Sequence, residues 1–281
     1  MGREDAALAK RPKPGTGAEL VTQTFRLTGP DQTARLTAVC PGAKVPLGGG
    51  MLTNPAPGPD GEGAYPQSYE RLGVQRGWHV TAVLFDPSRA GTTPRDVTLQ
   101  VLCGVKFPHV TSPHTRIHVA VGQTKTVVAT CPGRRHLIGG GFQQTDFTSQ
   151  GGDYVTESRA ISAKSWRVRG HAFGVYGGDL TAIGYCLRSR KPLVTQVSGS
   201  TPINPHSLGT AQTPPCPPGR LLAFGGFSTG PAGSTFFTNG LMNPDGSWSA
   251  SGFNNSGAPA SLTAYGYCLM RYANDISRVE Y

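Results

Sequence analysis

The sequence predicts an all-β protein built from three homologous, disulfide-stapled repeats, and three observations carry that expectation. A twelve-residue motif recurs, as "CPGAKVPLGGGM" from Cys40, "CPGRRHLIGGGF" from Cys131 and "CPPGRLLAFGGF" from Cys216, with Met51, Phe142 or Phe227 eleven positions after the cysteine. One tryptophan follows each motif, Trp78, Trp166 and Trp248, at 38, 35 and 32 residues from the opening cysteine. Each unit then closes on a matching segment, "VTLQVLC", "LTAIGYC" or "LTAYGYC". No stretch has convincing helical periodicity.

The cysteines come first, because they set the phase of the repeat. Each unit supplies one opener and one closer, which favours Cys40 with Cys103, Cys131 with Cys186, and Cys216 with Cys268 among the many pairings six cysteines allow. Such bridges persist outside a reducing cytosol. In the chain-entropy description each is worth roughly 4 kcal/mol. Zinc is the competing use of cysteine, but the short Cys-x-x-Cys spacing of a structural site is absent, so neither metal nor cofactor is expected. The repeats are placed at residues 20–107, 108–193 and 194–281, behind a Pro-rich basic arm over residues 1–19 that includes Lys10, Arg11 and Lys13.

The strand assignment rests on period two. Leu180, Ala182, Gly184 and Cys186 share one face of the closing segment, while Thr181, Ile183 and Tyr185 share the other. "WHVTAV", "WRVRGHAF" and "WSASGF" put each tryptophan on one face with the residue two beyond it. "NPDG" at Asn243–Gly246 and "GPDG" at Gly58–Gly61 are turn signals, with Pro presetting φ and Gly supplying its positive value. A glycine run inside a strand marks a bulge, a bend, or close approach by another backbone or a large ring. A phosphate cradle would need those glycines to open a helix, and none follows.

Taken together, the Cys-Pro, the glycine run, the mid-repeat Trp and the closing aromatic-Cys resemble tandem modules of secreted actinobacterial proteins, over about residues 20–281. Gly42 and Gly133 stand directly after proline where that pattern has a spacer, as Pro218 is before Gly219, so the entry turn is expected to differ between repeats. More loosely, threefold β repetition resembles the β-prism of vitelline membrane outer layer proteins and some lectins. The expected architecture is therefore either one pseudo-threefold prism-like body or three tandem modules. Secretion is expected. The start of the chain lacks the apolar core of a signal peptide, so the signal is expected to have been removed. No apolar run approaches the roughly 18 residues that span a bilayer.

Enzymatic signals are weak. "GFSTG", Gly226–Gly230, matches the nucleophile-elbow pattern with Ser228, but no histidine follows it and it overlays the glycine run of the other repeats. His109, His114 and His118 fall in a segment that reads as strand, where residues four apart are roughly 13 Å from each other, too far for one metal. "NNS" at Asn254–Ser256 formally matches a glycosylation acceptor. The expectation is a protein that is not an enzyme.

Charge singles out the middle repeat. Formal net charge is +10, and residues 104–193 carry twelve Lys and Arg against four Asp and Glu. Arg167, Arg169 and His171 alternate after Trp166 and point away from its face, while Arg134 and Arg135 sit beside the opening cysteine. The matching positions are His79, Thr81 and Val83 in repeat 1 and Ser249, Ser251 and Phe253 in repeat 3. Arg134, Arg135, Arg167, Arg169 and His171 are the candidate ligand-binding set. The expected role is recognition of a cell-surface or extracellular ligand such as an anionic glycan or polymer. The alternatives are a structural or adaptor subunit of an extracellular protein assembly and, third, a serine hydrolase using Ser228. Nucleic acid suits an oxidising compartment poorly.

Overall fold

Alternation of apolar and polar residues, broken by Gly- and Pro-bearing turns, divides the chain into short antiparallel strands. The computed structural model describes residues 18–29, 31–58, 61–72, 76–86, 93–104, 110–145, 147–148, 150–230 and 235–270. Most of the N-terminal arm, His109 and the last eleven residues lie outside the described residues. Repeat 1 forms β1 (Glu19–Leu27), β2 (Thr33–Val39), β3 (Val45–Asn54), β4 (Gly63–Pro66), β5 (Ser68–Leu72), β6 (Gly77–Phe85) and β7 (Arg95–Gly104). Repeat 2 forms β8 (His114–Val119), β9 (Thr124–Thr130), β10 (Arg135–Gln144), β11 (Gly151–Ala160), β12 (Ser165–Gly174) and β13 (Gly178–Arg188). Repeat 3 forms β14 (Val194–Ile203), β15 (Ser207–Gln212), β16 (Arg220–Thr229), β17 (Thr235–Met242), β18 (Trp248–Asn254) and β19 (Ala260–Met270).

The strands build three sheets, and each sheet is shared by two repeats. The first has the order β1-β7-β3-β17-β18-β15, the second β2-β6-β5-β10-β13-β8 with β4 also on β6, and the third β14-β19-β16-β11-β12-β9. Repeat 1 is thus joined to repeat 3, repeat 2 to repeat 1, and repeat 3 to repeat 2, which closes the ring. Of the two expected architectures, this is the pseudo-threefold prism-like body. The predicted disulfides are all present, Cys40–Cys103, Cys131–Cys186 and Cys216–Cys268, each tying an opening turn to its own repeat's last strand.

The glycine run has a separate physical cause at each of its positions. The middle glycine lies beneath its own repeat's tryptophan, so a β-carbon at Gly49, Gly140 or Gly225 would sit 2.2, 2.1 or 1.8 Å from that ring. Trp78, Trp166 and Trp248 are accordingly all buried. The preceding position is Gly48, Gly139 and Phe224: one ring takes the central space, and a β-carbon on Gly139 would meet it at 2.2 Å. Phe224 also packs against Trp78 and Tyr185, with centroids 5.9 and 5.7 Å apart. The third glycine stands where the half-sheets join, at Met51–Gly240, Phe142–Tyr69 and Phe227–Ser158. A register shift just upstream, as between Leu137 and Gly139, gives the bulge expected of such a run.

The closing aromatic residue is a clasp between repeats. The Tyr185 hydroxyl accepts the Arg71 amide at 2.6 Å, and the Tyr267 hydroxyl accepts the Ala160 amide at 2.7 Å. Repeat 1 has Leu102 at the matching place, and there Gln100 supplies the acceptor for the Met242 amide at 3.0 Å. Burial holds both tyrosine hydroxyls far above their ordinary pKa, so they remain protonated throughout the physiological range. The entry turns differ as expected: positive φ falls at Gly42 and Gly133, directly after Pro, but one residue later at Gly219 in repeat 3.

Candidate functional site

The outward face of the third sheet gathers three of the arginines of repeat 2 around one carboxylate. β11 and β12 pair antiparallel with Glu157 opposite Arg169 and Arg159 opposite Arg167, so all four side chains project from the same face. The inward neighbours Trp166 and Ser158 are buried together, with Trp166 Nε1 donating to Ser158 Oγ at 3.0 Å. Glu157 is itself 98% buried, an unusual place for a carboxylate unless it is paired. Its Oε1 accepts from Arg159 Nε at 2.5 Å and from Arg167 Nε and Nη2 at 2.9 and 2.5 Å, while Arg169 Nε stands 3.8 Å from Oε2.

Three guanidiniums on one carboxylate leave a net charge of +2, and each keeps a quarter to a third of its side chain accessible. Their positions are held from several sides. Arg159 lies over the Tyr265 ring, 5.2 Å from its centroid, and Arg169 Nη2 donates to the Thr229 and Gly230 carbonyls at 3.3 and 3.4 Å. A guanidinium has five N–H donors in a rigid fork, so each retains capacity for an incoming oxyanion. Glu157 and Arg159 escape a reading of charge along β12 alone, because their place beside Arg167 and Arg169 depends on the β11–β12 register.

Arg134 and Arg135 occupy a different part of repeat 2, the rim at the disulfide end. Arg134 is exposed in the opening turn, and Arg135 stands opposite Arg188 at the end of the β10–β13 pair. The Arg134 carbonyl accepts the Ser189 amide, and Lys164 Nζ donates to the Gly133 carbonyl at 2.7 Å. Three chain segments therefore meet there, 131–137, 160–166 and 186–191, carrying Arg134, Arg135, Lys164, Arg188, Arg190 and Lys191 without one Asp or Glu. From Arg169 to Ser165, next to Lys164, the strand covers roughly 13 Å. β12 links the two, from Lys164 just before its start to the arginine triad, and the rim and the triad are together called the basic stripe.

His171 adds little charge to it. Burial holds its imidazole below the ordinary histidine pKa, so it is neutral near pH 7, with Nδ1 2.9 Å from Thr124 Oγ1 and its ring 5.7 Å from that of Tyr154.

Other sequence candidates are placed as follows. Ser228 lies next to the C-terminal end of β16, its Oγ 3.1 Å from the Tyr265 hydroxyl. His114 and His118 both lie on β8, and His118 Nδ1 is 3.0 Å from Asp179 Oδ1. Asn254 is fully buried, with Nδ2 donating to the Ala258 carbonyl at 2.8 Å, which occupies the atom a glycan would need. Among the described residues no helix is long and apolar enough to cross a membrane. No protein-family model matches the chain, and no curated protein matches it in sequence.

Proposed function

We propose that this protein is a non-enzymatic binder of an anionic polymer or glycan outside the reducing cytosol, with the basic stripe of repeat 2 as its contact surface. The observation that carries the reading is the triad of Arg159, Arg167 and Arg169 on buried Glu157. A carboxylate that only neutralised its surroundings would need one partner; this one orders three, with two charges in surplus. Phosphate or sulfate oxygens accept from guanidinium forks in the same planar geometry a carboxylate does. The rim supplies a second set of cations along the stripe, as a repeating polyanion requires. Three disulfides are compatible with an extracellular setting.

The test compares two exchanges in binding to immobilised long-chain polyphosphate and to a sulfated glycan. The first replaces the site by its repeat 3 counterpart, E157N/R159L/R167S/R169S, which matches Asn239, Leu241, Ser249 and Ser251. The second, R134S/R135S/K164S, strips the rim. Both should weaken binding at least tenfold, and wild-type binding should fall with added salt, since exposed charges are screened over about 8 Å at physiological ionic strength. Binding that is insensitive to salt and unchanged in both variants defeats the proposal.

A further inference from the structure

A cavity of about 240 Å³ opens on the outer face of the second sheet, where β5 of repeat 1 meets β10 and β13 of repeat 2. It lies on a different sheet from the arginine triad and has a different chemistry. Ile183 is the apolar residue of its lining, beside the buried Tyr185. Glu70, Gln143 and Thr181 line it with polar atoms, and Ser112 and His114 stand at its exposed side. The polar groups are ordered: Gln143 Nε2 donates to Glu70 Oε2 at 2.8 Å, while Glu70 Oε1 has His79 Nε2 only at 3.9 Å, beyond hydrogen-bond reach.

Pseudo-symmetry explains why the space exists. At the matching place on the third sheet, Arg159 stands where Glu70 does and Tyr265 where Ile183 does, and the guanidinium lies over the ring. Shortening one side chain and replacing the aromatic ring by isoleucine leaves room for about eight waters. The lining holds one carboxylate, Glu70, and one guanidinium, Arg71, whose Nε is spent on the Pro46 carbonyl at 2.9 Å. Neither a cation nor an anion is therefore favoured by charge.

We infer that this cavity is a binding site for a single neutral sugar ring, its C–H face on Ile183 and its hydroxyls on Glu70 and Gln143. A pyranose combines an apolar face with an edge of hydroxyl donors, and the site offers an apolar residue beside a carboxylate–amide pair. Burial raises the Glu70 carboxyl above its ordinary pKa, against the opposing Gln143 hydrogen bond and Arg35 charge. A sugar hydroxyl would donate to Glu70 Oε1, which His79 Nε2 approaches only to 3.9 Å.

The experiment is saturation-transfer NMR and titration with a panel of neutral methyl glycosides of glucose, galactose, mannose and N-acetylglucosamine, at millimolar concentration. At least one should bind saturably. Ile183→Tyr, which places in the lining the ring that the third sheet already accommodates, should weaken that binding at least tenfold. Glu70→Gln, which keeps the shape, should weaken it severalfold and is read even if the tyrosine variant folds poorly. Neither change should alter retention on polyphosphate, so this site and the basic stripe stand or fall separately. Absence of binding by every glycoside, or undiminished binding in both variants, overturns the assignment.

Discussion

The outer faces of the first and third sheets are built on the same frame and differ at four corresponding outward positions. Beneath both lies a tryptophan on a glycine, Trp248 on Gly225 and Trp166 on Gly140, with the ring so close that any β-carbon would overlap it. Above, the third sheet carries Glu157, Arg159, Arg167 and Arg169, whereas the first carries Asn239, Leu241, Ser249 and Ser251 at the corresponding register. In place of the ion cluster, Asn239 Oδ1 accepts the Thr53 amide at 2.8 Å and Asn243 Nδ2 donates to Ser249 Oγ at 2.7 Å. The inward residues are constrained by packing around a common axis, and the outward ones are free to diverge. Difference between repeats is thus concentrated where a partner would meet it.

The strongest test of that contrast is removal of the shared frame. Trp166→Ala and Trp248→Ala should each cost about 3 to 5 kcal/mol in denaturant unfolding, because each empties a buried aromatic site. The middle-repeat loss should be stability first. Unequal losses would be informative too, since Trp166 Nε1 has the Ser158 hydroxyl as acceptor while the buried Trp78 and Trp248 Nε1 atoms have no hydrogen-bond partner among the described residues.

Next in size is the charged layer. Replacing Arg159, Arg167 and Arg169 by Ser while keeping Glu157 should destabilise by at least about 3 kcal/mol, because a buried carboxylate then loses its partners. Ser249→Ala with Ser251→Ala on the first sheet removes one hydrogen bond at each position, to Asn243 and to Thr210, and should cost less, about 1 kcal/mol for each. If the triple arginine variant melts like wild type, Glu157 is not the organiser of the site. Adding Glu157→Asn in that background should recover most of the loss.

The smallest effect concerns pH on the second sheet. Burial raises the Glu70 carboxyl in the folded state above its unfolded value, so its contribution to stability is fully present below the unfolded pKa and is lost as pH rises through the folded one. Glu70→Gln should therefore be neutral to slightly stabilising at pH 7, with the difference shrinking as pH falls toward the carboxylate range. Thermal melts across that window measure it. A variant that loses stability most at neutral pH would contradict the sign.

Much of this architecture is legible in the sequence because its causes are local or repeat-phased. Period two assigned Thr181, Ile183 and Tyr185 to one face, and those three side chains line the outer cavity. Opening and closing cysteines at matching phase identified the three disulfides, and turn chemistry identified Asn243–Gly246, where Gly246 has φ +82. The basic character of repeat 2 was equally plain.

What the tertiary structure alone decided is which residues become neighbours across repeats. Thr53 and Asn239 are 186 positions apart and share a hydrogen bond, and Arg71 meets Tyr185 across 114. No local pattern encodes such pairs, since they arise only when three half-open units close on one another and each lends strands to its neighbours. The same closure gives the axis a single ring, Phe224, and leaves glycine at Gly139, where a β-carbon would meet that ring, and at Gly48, where it would overlap the Ala223 carbonyl at 1.9 Å. It also sets Glu157 and Arg159 beside Arg167 and Arg169 through the β11–β12 register, and opens a cavity on the second sheet where the third is filled. Composition placed the charge in the middle repeat; close packing and strand register determined which side chains hold it.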